Sequence, residues 1–301
     1  MGKKYKILMT TMGLNIGGAE THIVELTKEL KKRGYDVMVA SNGGVYVDEL
    51  TEAGIKHFDV PLNTRNIGKM YKSLKLLKKI VSEENVDIVH SHARIPGFVT
   101  GILHRSMKFT FVTSAHWVFN TGHGLKYLTN WGQKVIAVSE DIKRYLMENY
   151  NTPEKNIYVT INGIDTDKFS PNVSGEEIIN EFGLNPDKPI VSYVSRMDAD
   201  RAMVAEQLID SAEEISSKID GVQFLIAGGG NVFDKLKDKS EKINTKLGRK
   251  CIVMTGARTD INKIVAAGDI FVGVSRAALE AMSAEKPVIV AGNEGYIGIF
   301  S

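Results

Sequence analysis

Two arginines stand where a strand pattern gives way to a helical one in the stretch PIVSYVSRMDADRAMVAEQLIDSA. Arg196 directly follows the apolar run, and Arg201 lies five residues further on, at the start of the next helical pattern. Two guanidinium groups in this position can bind a diphosphate through paired hydrogen bonds, whereas one would leave part of the charge uncompensated. Two solvated surface arginines would give the same spacing, so the residues by themselves leave both interpretations open.

A single carboxylate lies in the first turn of the apolar helix that is predicted for AALEAMSAEKPVIVAG. At the carboxyl edge of a parallel sheet, a carboxylate can accept hydrogen bonds from both hydroxyls of a ribose, and Glu280 is the candidate for this contact. A surface glutamate that stabilises the helix dipole would give the same pattern. Both interpretations of Glu280 stay open.

The stretch TTMGLNIGGAETH, residues 10–22, places Gly17 and Gly18 at the start of a helix after the first apolar run. Helix N-termini in this position bind anions through their unpaired N–H groups. The glycines do not fit the dinucleotide pattern G-x-G-x-x-G, and Ala19 and Glu20 occupy the positions where a P-loop needs Lys and Ser/Thr. The loop is either an anion contact of another kind or a glycine-allowed turn without a ligand.

Four histidines raise the question of a metal. His90 and His92 alternate in HSHARIPGF, and His116 and His123 follow later in the chain. A metal site could use such a set, but no carboxylate is clustered with it. The wall of an active site, or a hydrogen-bonded pair at a strand end, is the favoured interpretation, and no metal cofactor is expected.

The elements that must position these residues are short β-branched runs that alternate with amphipathic helical patterns. This alternation predicts an α/β protein with parallel sheets and right-handed crossovers. Residues from about 151 to 188 are rich in Pro, Asn, Asp and Gly, as at a domain boundary. We predict a doubly wound domain over 1–165, a linker over 166–188 and a second doubly wound domain over 189–301. Because GYIGIFS follows a strand where a covering helix is expected, the second domain is predicted to be incomplete.

Composition limits the possible partners and the compartment. The chain has 301 residues, 43% of them hydrophobic, and a net charge of +2. This gives no reason to expect nucleic acid as a partner. No apolar stretch approaches the ~20 residues of a membrane span. The single cysteine, Cys251, lies in an apolar run and fits a reducing compartment. A cytoplasmic protein is expected.

One helical pattern could bring the protein to a membrane surface. Residues 67–82 combine apolar positions with five lysines, namely Lys69, Lys72, Lys75, Lys78 and Lys79. Such a helix can lie on an anionic membrane at the inner face. The alternative is an ordinary solvated face on a helix that packs inward.

Taken together, the motifs resemble the GT-B-fold glycosyltransferases of glycosyltransferase family 4. The resemblance runs over essentially the whole chain and rests on GGAE, AVSEDIK, INGIDTDKF, SRMDADR, GGG, TGARTDI and ALEAMSAEKPVI at their spacings. It implies two Rossmann-like lobes that face each other across a cleft. It also implies a nucleotide-diphosphate sugar donor, UDP- or GDP-linked, and transfer with retention at the anomeric carbon. In INGIDTDKF, Asn162, Gly163 and Asp165 are expected to form a tight turn at the junction of the lobes.

The resemblance also implies roles for individual residues. Arg196 and Arg201 would neutralise the donor diphosphate, and Glu280 would hold the ribose. His116 would contact the donor sugar near the reacting carbon, and with these three residues it completes the candidate catalytic set. The remaining implied contacts are Gly17 and Gly18 at the diphosphate and the acceptor, and Gly229, Ala257 and Arg258 near the base. The leaving phosphate would take the acceptor's proton, so no side-chain base is required.

The chain departs from the family pattern at two positions. Arg201 stands where the family usually has Lys, which keeps the charge and changes the geometry. The family's E-x(7)-E pair is incomplete, because Val272 lies eight positions before Glu280. Ser275, Arg276 or backbone amides at the helix start are the candidate substitutes for the missing glutamate.

The function expected from these features is transfer of a sugar from a nucleotide diphosphate to a hydroxyl acceptor. A glycan or lipid-linked acceptor in cell-envelope polysaccharide or glycolipid synthesis is expected. One alternative is a truncated or degenerate relative that binds nucleotide sugar without turnover. Another is a sugar-nucleotide epimerase of the same fold. A nicotinamide oxidoreductase is disfavoured by the missing dinucleotide fingerprint.

Overall fold

The computed structural model describes residues 4–122, 124–161 and 163–300. The chain divides into two compact units, with the boundary between Gly163 and Ile164. Each unit is a sheet whose parallel strands are linked by helices, so the predicted α/β class with two Rossmann-like lobes is confirmed. The domain limits at 165 and 189 stay a prediction.

The first unit carries seven strands and five α-helices among the described residues. Its strands are β1 (Lys6–Thr10), β2 (Asp36–Ser41), β3 (Lys56–Asp59), β4 (Ile88–Ser91), β5 (Thr110–Ala115), β6 (Lys134–Ala137) and β7 (Ile157–Val159). Its helices are α1 (Gly18–Lys32), α2 (Val47–Glu52), α3 (Ile67–Glu83), α4 (Arg94–His104) and α5 (Glu140–Tyr150).

All strands of the first sheet are parallel, in the order β3-β2-β1-β4-β5-β6-β7. Its central strands are buried on both faces, which is why they read as nearly continuous apolar runs. One apolar cluster includes Leu8, Leu77 and Phe111, and another includes Met9 and Ile23. The two clusters hold the sheet to its covering helices.

Helix α1 has the bounds that its sequence pattern predicts. It begins at Gly18 directly after the glycine loop, and Gly34 follows its end with a φ of 85°, in the left-handed region. Ile23 and Thr27 are buried on its inner face, while Glu20 lies in its first turn. The helix therefore starts at the carboxyl edge of the sheet, where its N–H groups point outward.

The connection between β5 and β6 is held by aromatic contacts. The rings of Phe119 and Trp131 stack with centroids 5.5 Å apart, and Tyr150 meets Trp131 edge-on at 5.3 Å. The Tyr145 hydroxyl accepts a hydrogen bond from the Phe119 N–H and donates one to the Phe119 carbonyl. Burial raises the pKa of Tyr145 to about 12, so this hydroxyl keeps its proton. These contacts fix the chain just beyond His116.

The second unit carries six strands and five helices among its described residues. The strands are β8 (Ile190–Val194), β9 (Gln223–Ala227), β10 (Ile252–Gly256), β11 (Ile270–Gly273), β12 (Val288–Gly292) and β13 (Gly295–Phe300). The helices are α6 (Glu176–Phe182), α7 (Met203–Lys218), α8 (Phe233–Leu247), α9 (Ile261–Ala267) and α10 (Ser275–Ser283).

The strand order of the second sheet is β10-β9-β8-β11-β12-β13. The strands from β10 to β12 are parallel as predicted, and β13 is added at the edge antiparallel to β12. A two-residue turn at Asn293 and Glu294 separates Gly292 from its partner Gly295, which has a φ of 105°. This short turn, bounded by two glycines, brings the chain back alongside β12. The sequence had led us to expect a covering helix after β12.

Among the residues that the structure describes, no helix is both long enough and apolar enough to cross a membrane.

Candidate functional site

The strand orders of the two units define where a ligand can approach each sheet. In the first unit the order reverses between β1 and β4, and in the second between β8 and β11. Loops on either side of such a reversal diverge, which opens a crevice at the carboxyl ends of the strands. The loops at these points are the glycine loop and His92 in the first unit. In the second unit they are the loop of Arg196 and the start of α10.

The loop after β8 is held tightly against the glycines that follow β9. Met197 is completely buried, its N–H donates to the Gly229 carbonyl at 2.9 Å, and its carbonyl accepts from Val232 N at 3.0 Å. A Cβ on Gly228, which has a φ of 144°, would overlap the Ser195 carbonyl oxygen. Glycine is therefore required at position 228 for the two loops to approach each other. This contact fixes Met197 and so positions its neighbours, Arg196 and Asp198.

Both arginines on this loop remain accessible. The side chain of Arg196 is 46% exposed, with its Nε 3.5 Å from Asp198 Oδ2. The side chain of Arg201 is 45% exposed, with its Nε 3.8 Å from Asp200 Oδ2. Exposed ion pairs at such separations are weak, so an incoming anion would compete with them at little cost. Arg201 lies two residues before α7, close to its expected place.

Glu280 lies in a different environment from the one expected. Helix α10 begins at Ser275 and has no acidic residue in its first turn, so the prediction of a first-turn position for Glu280 is wrong. The residue is only 5% exposed, and its Oε1 accepts a hydrogen bond from Arg276 Nε at 2.8 Å. A buried carboxylate of this kind needs a cationic partner. Arg276, four residues earlier on the same helix, is that partner.

Ser275 holds an unusual backbone conformation at the start of α10. Its φ is 57°, in the left-handed region that favours glycine. Strain of this type persists only when the surrounding structure imposes it, and it concentrates at binding sites.

The residues expected near the base lie at the ends of β9 and β10. A Cβ on Gly229 would come within 3.1 Å of Ala257 Cβ, so these two loops are in contact. The Arg258 guanidinium binds Asp260 at 2.8 Å and Glu181 at 2.6 and 2.9 Å, and these carboxylates raise its pKa. Arg258 is therefore committed to carboxylates, which leaves its backbone for any ligand contact.

The carboxyl edge of the first sheet carries the start of helix α1, which follows Gly17, and a pair of hydroxyl groups. Gly18 has open space where a Cβ would lie, whereas a Cβ on Gly17 would overlap the Glu20 carboxylate. Glu20 thus folds back over the first turn, the position expected of a capping carboxylate. Between β1 and β4, Thr10 Oγ1 lies 2.7 Å from Ser91 Oγ.

A cluster of imidazoles occupies the same edge. His92 Nδ1 lies 3.1 Å from His116 Nε2, and His90 Nε2 lies 2.8 Å from Ser114 Oγ. The ring of His22, which was not among the expected site residues, lies 5.3 Å from that of His116. Burial lowers the pKa of His116 to about 4 and of His90 to about 3. His92 and His116, which follow β4 and β5, therefore contact each other, and burial favours their neutral forms.

Two expected participants, His123 and Asn162, lie outside the described residues. Within the described ranges, no three His, Cys, Asp or Glu side chains are grouped in a way that could hold a metal ion.

Comparison with known proteins agrees with this architecture. The model for Glycosyltransferase Family 4 matches residues 16–168, and that for glycosyl transferases group 1 matches residues 188–298. The chain is 26% identical to a glycosyltransferase of Methanocaldococcus jannaschii, over 94% of this chain and 79% of the relative. It is also 26% identical to an Escherichia coli UDP-Gal:alpha-D-GlcNAc-diphosphoundecaprenol alpha-1,3-galactosyltransferase, over 97% of this chain and 80% of the relative.

Solved structures give the same fold. A glycosyltransferase from Rickettsia africae superimposes with a TM-score of 0.77 and 25% identity, over 95% of this chain and 79% of that one. The Anabaena protein HepE in complex with UDP-glucose gives a TM-score of 0.74 and 19% identity, over 95% and 80% of the two chains. The fold and the matched motifs define a GT-B glycosyltransferase. The chain belongs to glycosyltransferase family 4.

The conformation of Ser275 leads to a prediction about stability. Ser275→Gly and Ser275→Ala both remove the hydroxyl, but only glycine adopts a φ of 57° without strain. We expect the glycine variant to unfold with a free energy about 1 kcal/mol higher than the alanine variant. Urea unfolding of the two variants measures this difference. Equal stabilities would mean that the backbone at this residue carries no strain.

Proposed function

We propose that this chain is a retaining glycosyltransferase that moves a sugar from a nucleotide diphosphate, foremost a UDP-sugar, to the hydroxyl of a lipid-linked acceptor. The observation that carries the proposal is the loop after β8, which presents the accessible guanidiniums of Arg196 and Arg201 at the strand-order reversal of the second sheet. This edge is where a parallel sheet binds phosphates. The cell process proposed is synthesis of envelope polysaccharide or glycolipid.

The two arginines would act on the leaving group. When the bond between the anomeric carbon and the diphosphate oxygen breaks, its electron pair stays on the diphosphate. Negative charge therefore grows next to the guanidiniums as the transition state is reached. Cations that are already in place stabilise this charge without reorganising, which lowers the barrier. Arg201 in place of the usual Lys would bind with a planar fork, so its contact with the phosphate differs in geometry.

The acceptor oxygen would bond to the anomeric carbon on the face that the diphosphate leaves, and its proton would pass to the departing diphosphate oxygen. This route balances charge without a side-chain base. His116 suits such a site, as do its neighbours His90 and His92, since burial depresses the pKa values of all three and keeps them uncharged at neutral pH. His116 would contact the sugar's hydroxyls as a neutral donor or acceptor.

Other contacts with the donor follow from the second unit's edge. Glu280 would bind the ribose with its carboxylate held in place by Arg276. The backbone around Ala257 and Arg258, beside Gly229, would face the base. Ser275 and Arg276 are the candidate substitutes for the missing first glutamate of the family pair, and in that role they would meet the donor sugar. On the first unit, Gly17 and Gly18 would let the backbone approach the diphosphate and the acceptor.

The activities of two relatives support a lipid-linked acceptor. The Escherichia coli relative is a galactosyltransferase that acts on an undecaprenol diphosphate carrying a sugar. A Saccharomyces cerevisiae relative, 23% identical over 91% of this chain and 63% of its own length, is a subunit of a phosphatidylinositol N-acetylglucosaminyltransferase. Both acceptors are lipids.

Helix α3 would bring the enzyme to the membrane that holds such an acceptor. Its inward face is buried through Leu77 and Ile80, and the lysines all lie on the exposed face. Two apolar side chains, Ile67 and Tyr71, accompany them and are 84% and 58% exposed. Basic and apolar groups on one helix face suit the interface of an anionic bilayer.

A second candidate is binding of the nucleotide sugar without turnover. Val272 is buried in β11 at the position eight residues before Glu280, so it cannot replace the missing carboxylate chemically. If Ser275 and Arg276 do not supply its function, the donor would bind and remain intact.

Turnover separates these candidates. We expect the purified protein to release UDP from one of UDP-glucose, UDP-galactose or UDP-N-acetylglucosamine when a polyprenyl-diphosphate-linked sugar is supplied, with an α-linked product by NMR. GDP-mannose is assayed beside them, as a donor that carries guanine in place of uracil. Binding without release of nucleotide would leave only the second candidate. Conversion of the donor sugar without an acceptor would identify an epimerase instead.

The diphosphate contact has its own test. Arg196→Ala should weaken binding of UDP by about 10–100-fold, because a hydrogen bond to a charged group contributes about 1.5–3 kcal/mol. Binding of uridine should change less than about twofold, since it carries no phosphate. Isothermal titration calorimetry measures both. Arg144→Ala, which removes an exposed arginine on α5, is the matched control. A similar loss for uridine and UDP would rule out the diphosphate role.

Membrane contact can be measured with vesicles. The triple variant Lys72→Gln, Lys75→Gln and Lys79→Gln should bind vesicles of phosphatidylglycerol about 100-fold more weakly, at about 1 kcal/mol per lysine near an anionic surface. The matched control is Lys235→Gln, Lys237→Gln and Lys242→Gln on the exposed part of α8. Cosedimentation with phosphatidylglycerol and with phosphatidylcholine gives the comparison. Equal binding by both triple variants would contradict a membrane role of α3.

A further inference from the structure

The four imidazoles at the first unit's edge come from three different segments. His22 belongs to α1, His90 and His92 to the end of β4 and the residue after it, and His116 follows β5. The ring centroids of His90 and His92 lie 4.0 Å apart, and those of His92 and His116 lie 5.4 Å apart. The backbone N–H of His92 donates to the Thr10 carbonyl at 3.0 Å, so the start of this cluster is tied to β1.

His92 is the member of the cluster that hydrogen-bonds to His116, and its side chain is almost fully buried. It is 4% exposed, and its Nδ1 makes the contact of 3.1 Å to His116 Nε2. The other ring nitrogens, His92 Nε2 and His116 Nδ1, are buried and have no hydrogen-bond partner among the described residues. A buried ring nitrogen without a partner is costly unless a ligand pairs with it.

The hydrogen bond between the two rings couples their tautomers. A neutral imidazole has one N–H and one lone pair, so one ring must donate and the other must accept. If His92 Nδ1 donates, His116 Nε2 accepts and the His116 proton lies on Nδ1. If His116 Nε2 donates, its Nδ1 carries a lone pair. The state of His92 therefore determines whether His116 Nδ1 is a donor or an acceptor.

Burial keeps both rings in the neutral state that this coupling needs. It holds the pKa of His92 well below its ordinary value and lowers that of His116 to about 4. The charged forms of the neighbouring imidazoles act in the same direction, namely those of His90, His116 and His22 on His92, and that of His22 on His116. Among the described groups that shift these two pKa values, none is a carboxylate.

We propose that His92 is a positioning residue for sugar transfer. Its Nδ1 fixes the ring orientation and the tautomer of His116, so that His116 Nδ1 meets a hydroxyl of the donor sugar with one defined hydrogen-bonding character. The proposal rests on the proposed function, in which His116 contacts the sugar. The chemistry recognised is a sugar hydroxyl, which can donate to or accept from His116.

The tautomer of His116 gives a test that does not depend on activity. In protein with 15N-labelled histidine, the ring nitrogens of His116 should show a single tautomer. His92→Leu should convert this signal to an average of both tautomers, while His92→Asn, whose amide lies near the position of Nδ1, should restore one. His90→Gln, which can keep the bond to Ser114, is the matched control and should leave His116 unchanged. An unaltered His116 signal in folded His92→Leu would overturn the proposal.

Turnover of the donor sugar gives a second test through a double-mutant cycle. His92→Leu should lower kcat/KM by about 10–100-fold, the range that a misplaced contact group costs, while UDP binding stays unchanged. In a His116→Ala background the same substitution should have no further effect, because the two residues act through one contact. Additive losses would mean that His92 acts independently and would overturn the inference. Absence of turnover in the wild-type protein would instead count against the proposed function, and the NMR result would still stand.

Discussion

The reversal of strand order in each parallel sheet is the constraint on which the other features depend. All parallel strands end at the same edge, so the residues that follow them are brought together although they lie far apart in sequence. In the second unit, this is why the segment after β8 shares an edge with the start of α10, about eighty residues later. Neither loop could form a binding surface by itself. The sheet supplies the arrangement, and the loops supply the chemistry.

Charge at the second unit's edge is divided between committed and accessible arginines. Arg258 and Arg276 bind carboxylates at 2.6–2.9 Å and are largely enclosed, so they serve to hold loops and to orient Glu280. Arg196 and Arg201 have carboxylates only at 3.5 and 3.8 Å and remain nearly half exposed. A diphosphate would gain little from arginines that are already neutralised. The accessible pair is thus better suited to a ligand, which supports the proposed assignment.

The sequence was sufficient to predict the alternation of strands and helices, because buried parallel strands leave unmistakable apolar runs. It was insufficient for β13, since Gly295–Phe300 has exposed apolar residues that resemble a buried segment. The burial of Glu280 depends on where α10 begins. The residue types do not indicate that Ser275 adopts a left-handed backbone conformation. The pairing of Glu280 with Arg276 could have been found from the four-residue spacing. The bond of Arg258 to Glu181 joins residues 77 positions apart and has no local signal.

The two edges differ in the charge that they present, and this difference fits the two parts of a nucleotide sugar. The first unit's edge carries His90 and His116, which burial keeps neutral. Neutral groups that both donate and accept suit sugar hydroxyls, which are uncharged. The second unit's edge carries accessible cations, which suit a diphosphate. Under the proposed function, an imidazolium at the first unit's edge would itself attract a diphosphate, so the burial that keeps His90 and His116 neutral leaves the accessible arginines of the second unit as the preferred anion contact.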